Sequence, residues 1–527
     1  MYNILKIKFI LLAVMSNFNL ENMKRCIYLL SFISIFILSS CSNFLDMNPL
    51  DQISDPTFWK SKDDFDNALT AVYGSMQAAE FSSELPLRDC MTDNGFAQFN
   101  SGNDNDIVQG NISPSTGGYQ SSIYNDSYSG IARINVFLQQ LSNYKGTDIS
   151  ASEKSDYEGE VRFIRAFYYF QLYSIYGDVP LVLDPLTMTN QEQPKVPAQQ
   201  ILTQILSDLN FAIANLPDVS YSQNGGHAVS TSAEALEARV LLFAAYDTTG
   251  TPNLDTLKHV RDLALHIETE YSLSPNFQDL FRVAGQKNNP EIIFSINFLA
   301  PNNTAPWDMY YGDWVAASPL KNLVDDFECT DGKMISESPL YDSSNSFENR
   351  DPRLAMTIYD DHPDFGDGKV WYPSNAKPTG YGVMKYLDPA NLPFGFSTLS
   401  GQDAVVLRLG EILLMYAEAE NEIAGPDASV YDAMTTLRAR VGMPPYPQGL
   451  SKTQMREKIR HERRIELAFE GLRWYDLKRW RTADEVMNSV TDGIIPYHFE
   501  DKFYDWPLPQ TEIDKSQGIL VQNPDYQ

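Results

Sequence analysis

The chain has 527 residues and a formal net charge of −29, with 69 Asp and Glu against 40 Lys and Arg. Such an acidic chain repels phosphate backbones, which excludes nucleic acid as a partner, and it suits polyanionic ligands only where a local basic pocket exists. Hydrophobic residues make up 43%, enough for a large core, and no Gly/Ser linker, charge block or low-complexity tract divides the sequence. The first element is an export signal. Met23-Lys24-Arg25 is a basic start, residues 27–37 are largely apolar, and Leu38-Ser39-Ser40-Cys41 reads as a lipobox, where a bacterial lipoprotein is cleaved and lipidated on cysteine. The apolar run is short for a membrane span and ends in small residues, so residues 1–40 are expected to be a signal peptide, with Met23 the suspected true start. Cys41 is then expected to carry lipid and hold the exported chain to a membrane.

Helices dominate the mature chain. Ser61-Lys62-Asp63-Asp64 resembles a capping signal, with Phe65, Leu69, Val72 and Met76 after it at helical spacing. Ser150-Ala151-Ser152-Glu153 is a stronger capping box, predicting a helix to about Tyr176 with Gly177 as its stop. Pro197 opens another, Thr231-Ser232-Ala233-Glu234 is read as the cap of the next, and an amphipathic segment covers 257–270. These helices come in pairs with short turns, the pattern of helical-hairpin repeats. Between about 271 and 401 the texture changes to Pro, Gly, Asn and Asp around short apolar runs such as 292–296, read as irregular loops with a few short strands. Helices return over 407–423, 430–441 and 452–469. Cys90 and Cys329 admit either a disulfide or two buried thiols.

Ordered motifs along the mature chain resemble the SusD/RagB family of surface glycan-binding lipoproteins. They include Phe44-Leu45-Asp46, Arg162-Phe163-Ile164-Arg165-Ala166-Phe167-Tyr168-Tyr169 and Tyr176-Gly177-Asp178-Val179-Pro180-Leu181. Further on come Leu407-Arg408-Leu409-Gly410-Glu411, His461-Glu462-Arg463-Arg464-Ile465-Glu466-Leu467, Gly471-Leu472-Arg473-Trp474-Tyr475-Asp476-Leu477 and Pro507-Leu508-Pro509. The resemblance implies a mainly α fold. Its scaffold is tetratricopeptide-like helix pairs bearing an irregular, loop-rich part with a few short strands. Residues 41–250 and 251–527 would be the N- and C-terminal parts of one globular unit. It also implies a non-catalytic protein without cofactor, lipid-anchored at the outer membrane and facing the cell surface. Its partners would be a glycan and a SusC-like TonB-dependent transporter. Only Asp46 is acidic within five residues after Cys41, so surface display rests on the resemblance alone.

Several residues invite chemical readings. His461-Glu462-Arg463-Arg464-Ile465 begins like a zinc-protease motif, but Ile465 stands where the second His is needed, so no metal is assigned. Asp360-Asp361-His362, Asp364 and Asp367-Gly368 lack calcium-loop spacing. Glu462 and Glu466 lie one turn apart on one helix and cannot flank a sugar from both sides, so no catalytic residue is assigned. They are expected to pair with arginines near in sequence, Arg463, Arg464, Arg473 and Arg479. Aromatics are the binding candidates, since flat sugar faces stack on rings while Asn and Asp take hydroxyls. Trp307, Tyr310, Tyr311 and Trp314, with Asp308 and Asp313, come first. Asn94, Phe96 and Phe99 come second, then Trp371, Tyr372 and Tyr381. The alternative is a helical-repeat scaffold that binds a protein or peptide, which would show an apolar groove within the helix pairs.

Overall fold

Helix ends follow the local chemistry of the chain. In the computed structural model, which describes residues 58–187, 190–491 and 493–527, the predicted box at Ser150 is formed. Ser150 Oγ accepts the Glu153 N–H at 3.2 Å and the Glu153 carboxylate accepts the Ser150 N–H at 2.8 Å. The signal peptide of residues 1–40 and the lipidation of Cys41 lie outside the described residues. Helices α1 (Lys62–Ser75), α2 (Tyr119–Asn143), α3 (Ala151–Tyr176), α4 (Ala198–Asn215), α5 (Ser230–Ala244) and α6 (Leu254–Glu268) succeed one another. Each packs on its predecessor, and α7 (Leu409–Ala424) on α6, so apolar faces are buried pair by pair in a tetratricopeptide-like stack. Next come α8 (Ala428–Arg440) and α9 (Lys452–Glu466), both against α7, and then α10 (Arg473–Trp480) against α5. Ser61–Gln527 form one compact unit.

Three sequence expectations are corrected. The Thr231 cap lies inside the helix: α5 begins at Ser230, with the Val229 N–H on Ser232 Oγ (3.3 Å), while the Thr231 hydroxyl meets Tyr271 Oη (2.7 Å). The helix expected from 407 starts only at 409. Residues 404–408, with β-branched Val405 and Val406, are drawn into strand pairing. The helix expected to reach 469 stops at Glu466, and Phe469 has φ 66°.

The strands are short and paired in twos. β1 (Gly95–Ala97) runs antiparallel to β3 (Ala317–Pro319), with Gly95 opposite Pro319 and Ala97 opposite Ala317. β2 (Ile292–Ile296), the run visible in the sequence, runs antiparallel to β4 (Ala404–Arg408). Cys90 and Cys329 are both buried and unpaired.

A buried charge network joins the loop-rich part to the helices. On α9, Glu466 pairs with Arg353 (2.9 Å), Arg408 (2.7 Å) and Arg440 (2.5 Å), and Glu462 pairs with Arg353 (2.6 Å) and Arg438 (2.9 Å). Glu470 holds Arg408 and Lys385, each at 2.8 Å. The expected Arg–carboxylate network is present with different partners. Arg463 goes to Asp476 (3.1 Å), Arg464 to Asp93 (2.8 Å), Arg473 to Asp93 (2.9 Å) and Arg479 to Asp476 (2.9 Å). Successive helical residues point about 100° apart, so Arg463 and Arg464 face away from Glu462 and Glu466.

These charges set the pH response. Burial alone would raise the Glu462 carboxyl, but Arg353 and Arg438 outweigh it and hold it at about 2. Glu466 is likewise held well below the carboxylate range, burial being outweighed by Arg440 and Arg408. Their stabilisation is complete above the unfolded-state value and is lost as pH falls through the folded one. Burial pushes other carboxyls the opposite way, Glu80 to about 8, Asp104 to about 7 and Asp308 to about 7. Their contribution is complete at acid pH and lost as pH rises through those values. Thermal melts should therefore peak at about pH 4, near the unfolded-state carboxylate values, and fall on both sides. A melting temperature that climbs steadily to about pH 8 would contradict the assignment. At the peak, Glu466→Gln should cost about 3–5 kcal/mol, because it leaves buried guanidinium groups uncompensated.

Candidate functional site

The segment 307–314 divides its four rings between the core and the surface. Residues Met309–Asp313 form one π turn, closed by Trp314 N–H on Met309 O at 2.9 Å. Trp307 and Tyr311 share its inner side. The Trp307 ring is 0% exposed, lies parallel to Tyr386 at 4.5 Å and 11°, and donates Nε1–H to Gln402 O at 3.0 Å. Tyr311 is 0% exposed and donates its hydroxyl to Ser83 O at 2.6 Å. Both expectations of sugar contact are therefore corrected: these rings have no free face, and their polar atoms are satisfied inside. Asp308 is also buried, accepting from the Asp388 N–H (2.9 Å) and Asn391 Nδ2 (2.7 Å). Burial, only partly offset by those hydrogen bonds, raises its carboxyl to about 7.

The outer side carries the other two rings. Tyr310 and Trp314 are half-buried and stack at 5.4 Å and 28°. Trp314 meets Phe99 edge-on at 5.9 Å and Phe396 at 5.7 Å and 40°. Phe99 is 50% exposed and Phe396 76%. The β1–β3 register brings Phe99 here. Beyond the ladder, the Gln98 N–H bonds Ala316 O at 2.9 Å, so the next residue falls beside Trp314 and Val315. Val315 itself has φ 51°, which a β-branched residue rarely adopts, and it turns the buried chain away from the ring surface.

Side chains brace the turn from outside. Trp371 donates Nε1–H to Gly312 O at 2.8 Å and Asn375 donates Nδ2–H to Asp313 O at 2.9 Å. With its amide oriented to suit its neighbours, Gln98 donates to Val315 O at 3.2 Å and Ala376 O at 2.7 Å. Trp371 is half-buried against Phe394, so its work is bracing rather than display. Tyr372 is 64% exposed and rests on His362, 4.4 Å away. Tyr381 is half-buried beside Phe347. The Asp313 carboxylate makes no hydrogen bond among the described residues, which leaves an acceptor next to Trp314.

The region 89–99 behaves differently from its sequence reading. Asn94 is buried, donating to Asp89 Oδ2 (3.1 Å) and accepting from Arg464 Nε (2.9 Å). Phe96 is buried within β1 opposite Ser318. Neither can meet a ligand, because both are consumed in anchoring the strand; only Phe99 reaches the surface. Sequence reasoning missed Phe396. The signal available in the sequence was the pair of rings around a glycine, Phe394-Gly395-Phe396, in a turn-rich stretch.

Residues 281–526 match the family model of the SusD family, and residues 43–242 match one described as starch-binding associating with outer membrane. The chain belongs to the SusD/RagB family. It is 26% identical to SusD-like protein P2 of Formosa agariphila over 95% of this chain and 99% of that protein. A SusD-like carbohydrate binding protein of Bacteroides fragilis superposes with a TM-score of 0.75 at 26% identity, covering 89% of this chain and 100% of its own. A laminarin binding SusD-like protein, at 24% identity and a TM-score of 0.69, covers 89% of this chain and 100% of its own and shares the fold. Among the described residues no helix is long and apolar enough to cross a membrane.

Within this SusD/RagB fold the two tryptophans should behave oppositely. Trp307→Ala should cost about 3–5 kcal/mol, the range for truncating a buried Trp. Trp314→Ala should stay within about 1 kcal/mol, as surface truncations usually do. Denaturant unfolding of both variants checks this, and equal losses would place both rings in one environment.

Proposed function

We propose that this protein is a non-catalytic glycan-binding lipoprotein whose ligand stacks on Phe99, Tyr310, Trp314 and Phe396. It holds a membrane through lipidated Cys41, faces outward from the outer membrane, and passes oligo- or polysaccharide to a SusC-like TonB-dependent transporter. The observation that carries the reading is the exposed ring cluster at Trp314. An apolar surface so built suits the C–H faces of sugars, and Asp313 offers an acceptor for hydroxyls. The family's description as starch-binding and outer-membrane-associated, and the carbohydrate-binding relative in Bacteroides fragilis, support it.

A hydrolytic role has little support. Glu462 and Glu466 are wholly buried and ion-paired on one helix, whereas glycosidases need carboxyls facing each other across an open cleft. The rings also lie on loops held by a rigid frame, the usual place for recognition.

A glycan-array screen of the purified protein, and then calorimetry on the best oligosaccharide, tests the reading. Trp314→Ala should weaken binding at least about tenfold, roughly 1.4 kcal/mol, and Phe99→Ala should weaken it less, since it meets Trp314 only by its edge. Undiminished affinity in Trp314→Ala would remove the glycan from this surface.

A further inference from the structure

A second recess, of about 450 Å³, lies where α9 and α10 meet the short helix Ala483–Asn488. That volume is in the range of small-ligand sites. Arg460 sets its character. Its guanidinium sits 4.6 Å from the centre of the Trp480 ring, and Arg479 lies 4.6 Å from the same ring. Arg479 is neutralised by Glu418 (2.7 Å) and Asp476 (2.9 Å). Arg460 has no hydrogen bond and no ion pair among the described residues, and its Nε is buried without a partner. Two guanidinium groups thus share one indole, and one of them lacks a counter-ion.

The neighbouring donors are also incomplete. Arg473 uses Nε and Nη2 on Asp93 (2.9 and 3.0 Å), leaving Nη1 without a partner among the described residues. His461 donates Nε2–H to Asp326 O (2.7 Å), so its buried, unpartnered Nδ1 is an acceptor in the neutral ring and not a further donor. Acidic groups face the recess as well. Asp326 is ion-paired with Arg464, while Glu457 and Glu485 stand exposed at its rim. Like charge at the rim opposes multiply charged anions. It leaves one unneutralised, planar fork, the geometry that matches a single carboxylate.

We propose that this recess binds a carboxylate-bearing sugar residue of the uronic acid type, as a second site distinct from the ring surface. Arg460 and Arg473 Nη1 donate to the carboxylate, and Glu457 and Glu485 accept hydroxyls. Leu477 and Trp480 are buried and Val486 is the one half-buried apolar side chain of the lining, a smaller apolar footing than peptide anchors require. The overall acidity of the chain makes such a recess the place where an acidic sugar can be held. The proposal rests on the reading that the protein's ligand is a glycan.

Ligand-observed NMR of the purified protein with glucuronate, glucose and inorganic phosphate tests it, on wild type, Arg460→Gln and Trp314→Ala. Glucuronate should bind at least about tenfold tighter than glucose, Arg460→Gln should remove that preference, and Trp314→Ala should leave it intact. Arg460 is half-buried and unpaired, so melting should hardly change in Arg460→Gln. Glucuronate binding no better than glucose, equal binding of phosphate, or a preference that survives Arg460→Gln would overturn the proposal. Failure of the ring-surface reading looks different: oligosaccharide affinity would survive Trp314→Ala while the Arg460 result stood.

Discussion

A charge removed from water must find its opposite, and in this protein that requirement fixes where the loop-rich part sits. Glu466 on α9 gathers guanidinium groups from three directions: Arg353 from the irregular part, Arg408 from the end of β4 and Arg440 from the end of α8. Glu291, just before β2, joins through Arg408 (2.9 Å) and Arg440 (3.1 Å), and Lys385 joins through Glu470. No member can leave without stranding a buried charge, so the strands, the irregular region and the last helices hold one arrangement. Whether apolar replacement of the whole network would be more stable is a separate matter from what it specifies, which is a single position for each attached segment.

The same helix holds the site from its other side. Arg464, with Arg473 from the start of α10, clamps Asp93 at 2.8 and 2.9 Å, and Asp93 leads into β1. These two guanidinium groups outweigh its burial and hold the Asp93 carboxyl at about 2. β1 then delivers Phe99, and its partner β3 comes directly after Trp314 and Val315. The ring surface is therefore assembled from segments remote in sequence: Phe99 follows β1, which Asp93 and Arg464 pin, while Tyr310 and Trp314 lie on the turn that Trp371 and Asn375 brace. A ligand stacking there, as proposed, would cost these rings little freedom.

The legible parts of the sequence were the local ones. Ser150, Glu153 and Gly177 fix α3 because caps act within a few residues, and the apolar run 292–296 is β2. The aromatic density of 307–314 is visible in the sequence, but which rings face out depends on a π turn that leaves no period there. Helical geometry then puts Trp307 with Tyr311 inward and Tyr310 with Trp314 outward, splitting a set that composition presents as equivalent. Asn94 and Phe96 misled because their burial is produced by Arg464 and by β3, both remote in the chain. The partners of Glu462 and Glu466 were illegible for the same reason: arginines close in sequence point elsewhere, and those that fit come from residues 353, 408, 438 and 440.

The frame leaves on its surface a few rings that the core does not need. The most direct measurement is a crystal structure of the protein soaked with the oligosaccharide that binds best in solution. Sugar density should lie stacked against Trp314, flanked by Phe99 and Phe396 and with a hydroxyl within hydrogen-bonding reach of the Asp313 carboxylate. Ordered sugar along the helix pairs, with those rings left bare, would contradict the assignment of the ring surface as the binding site.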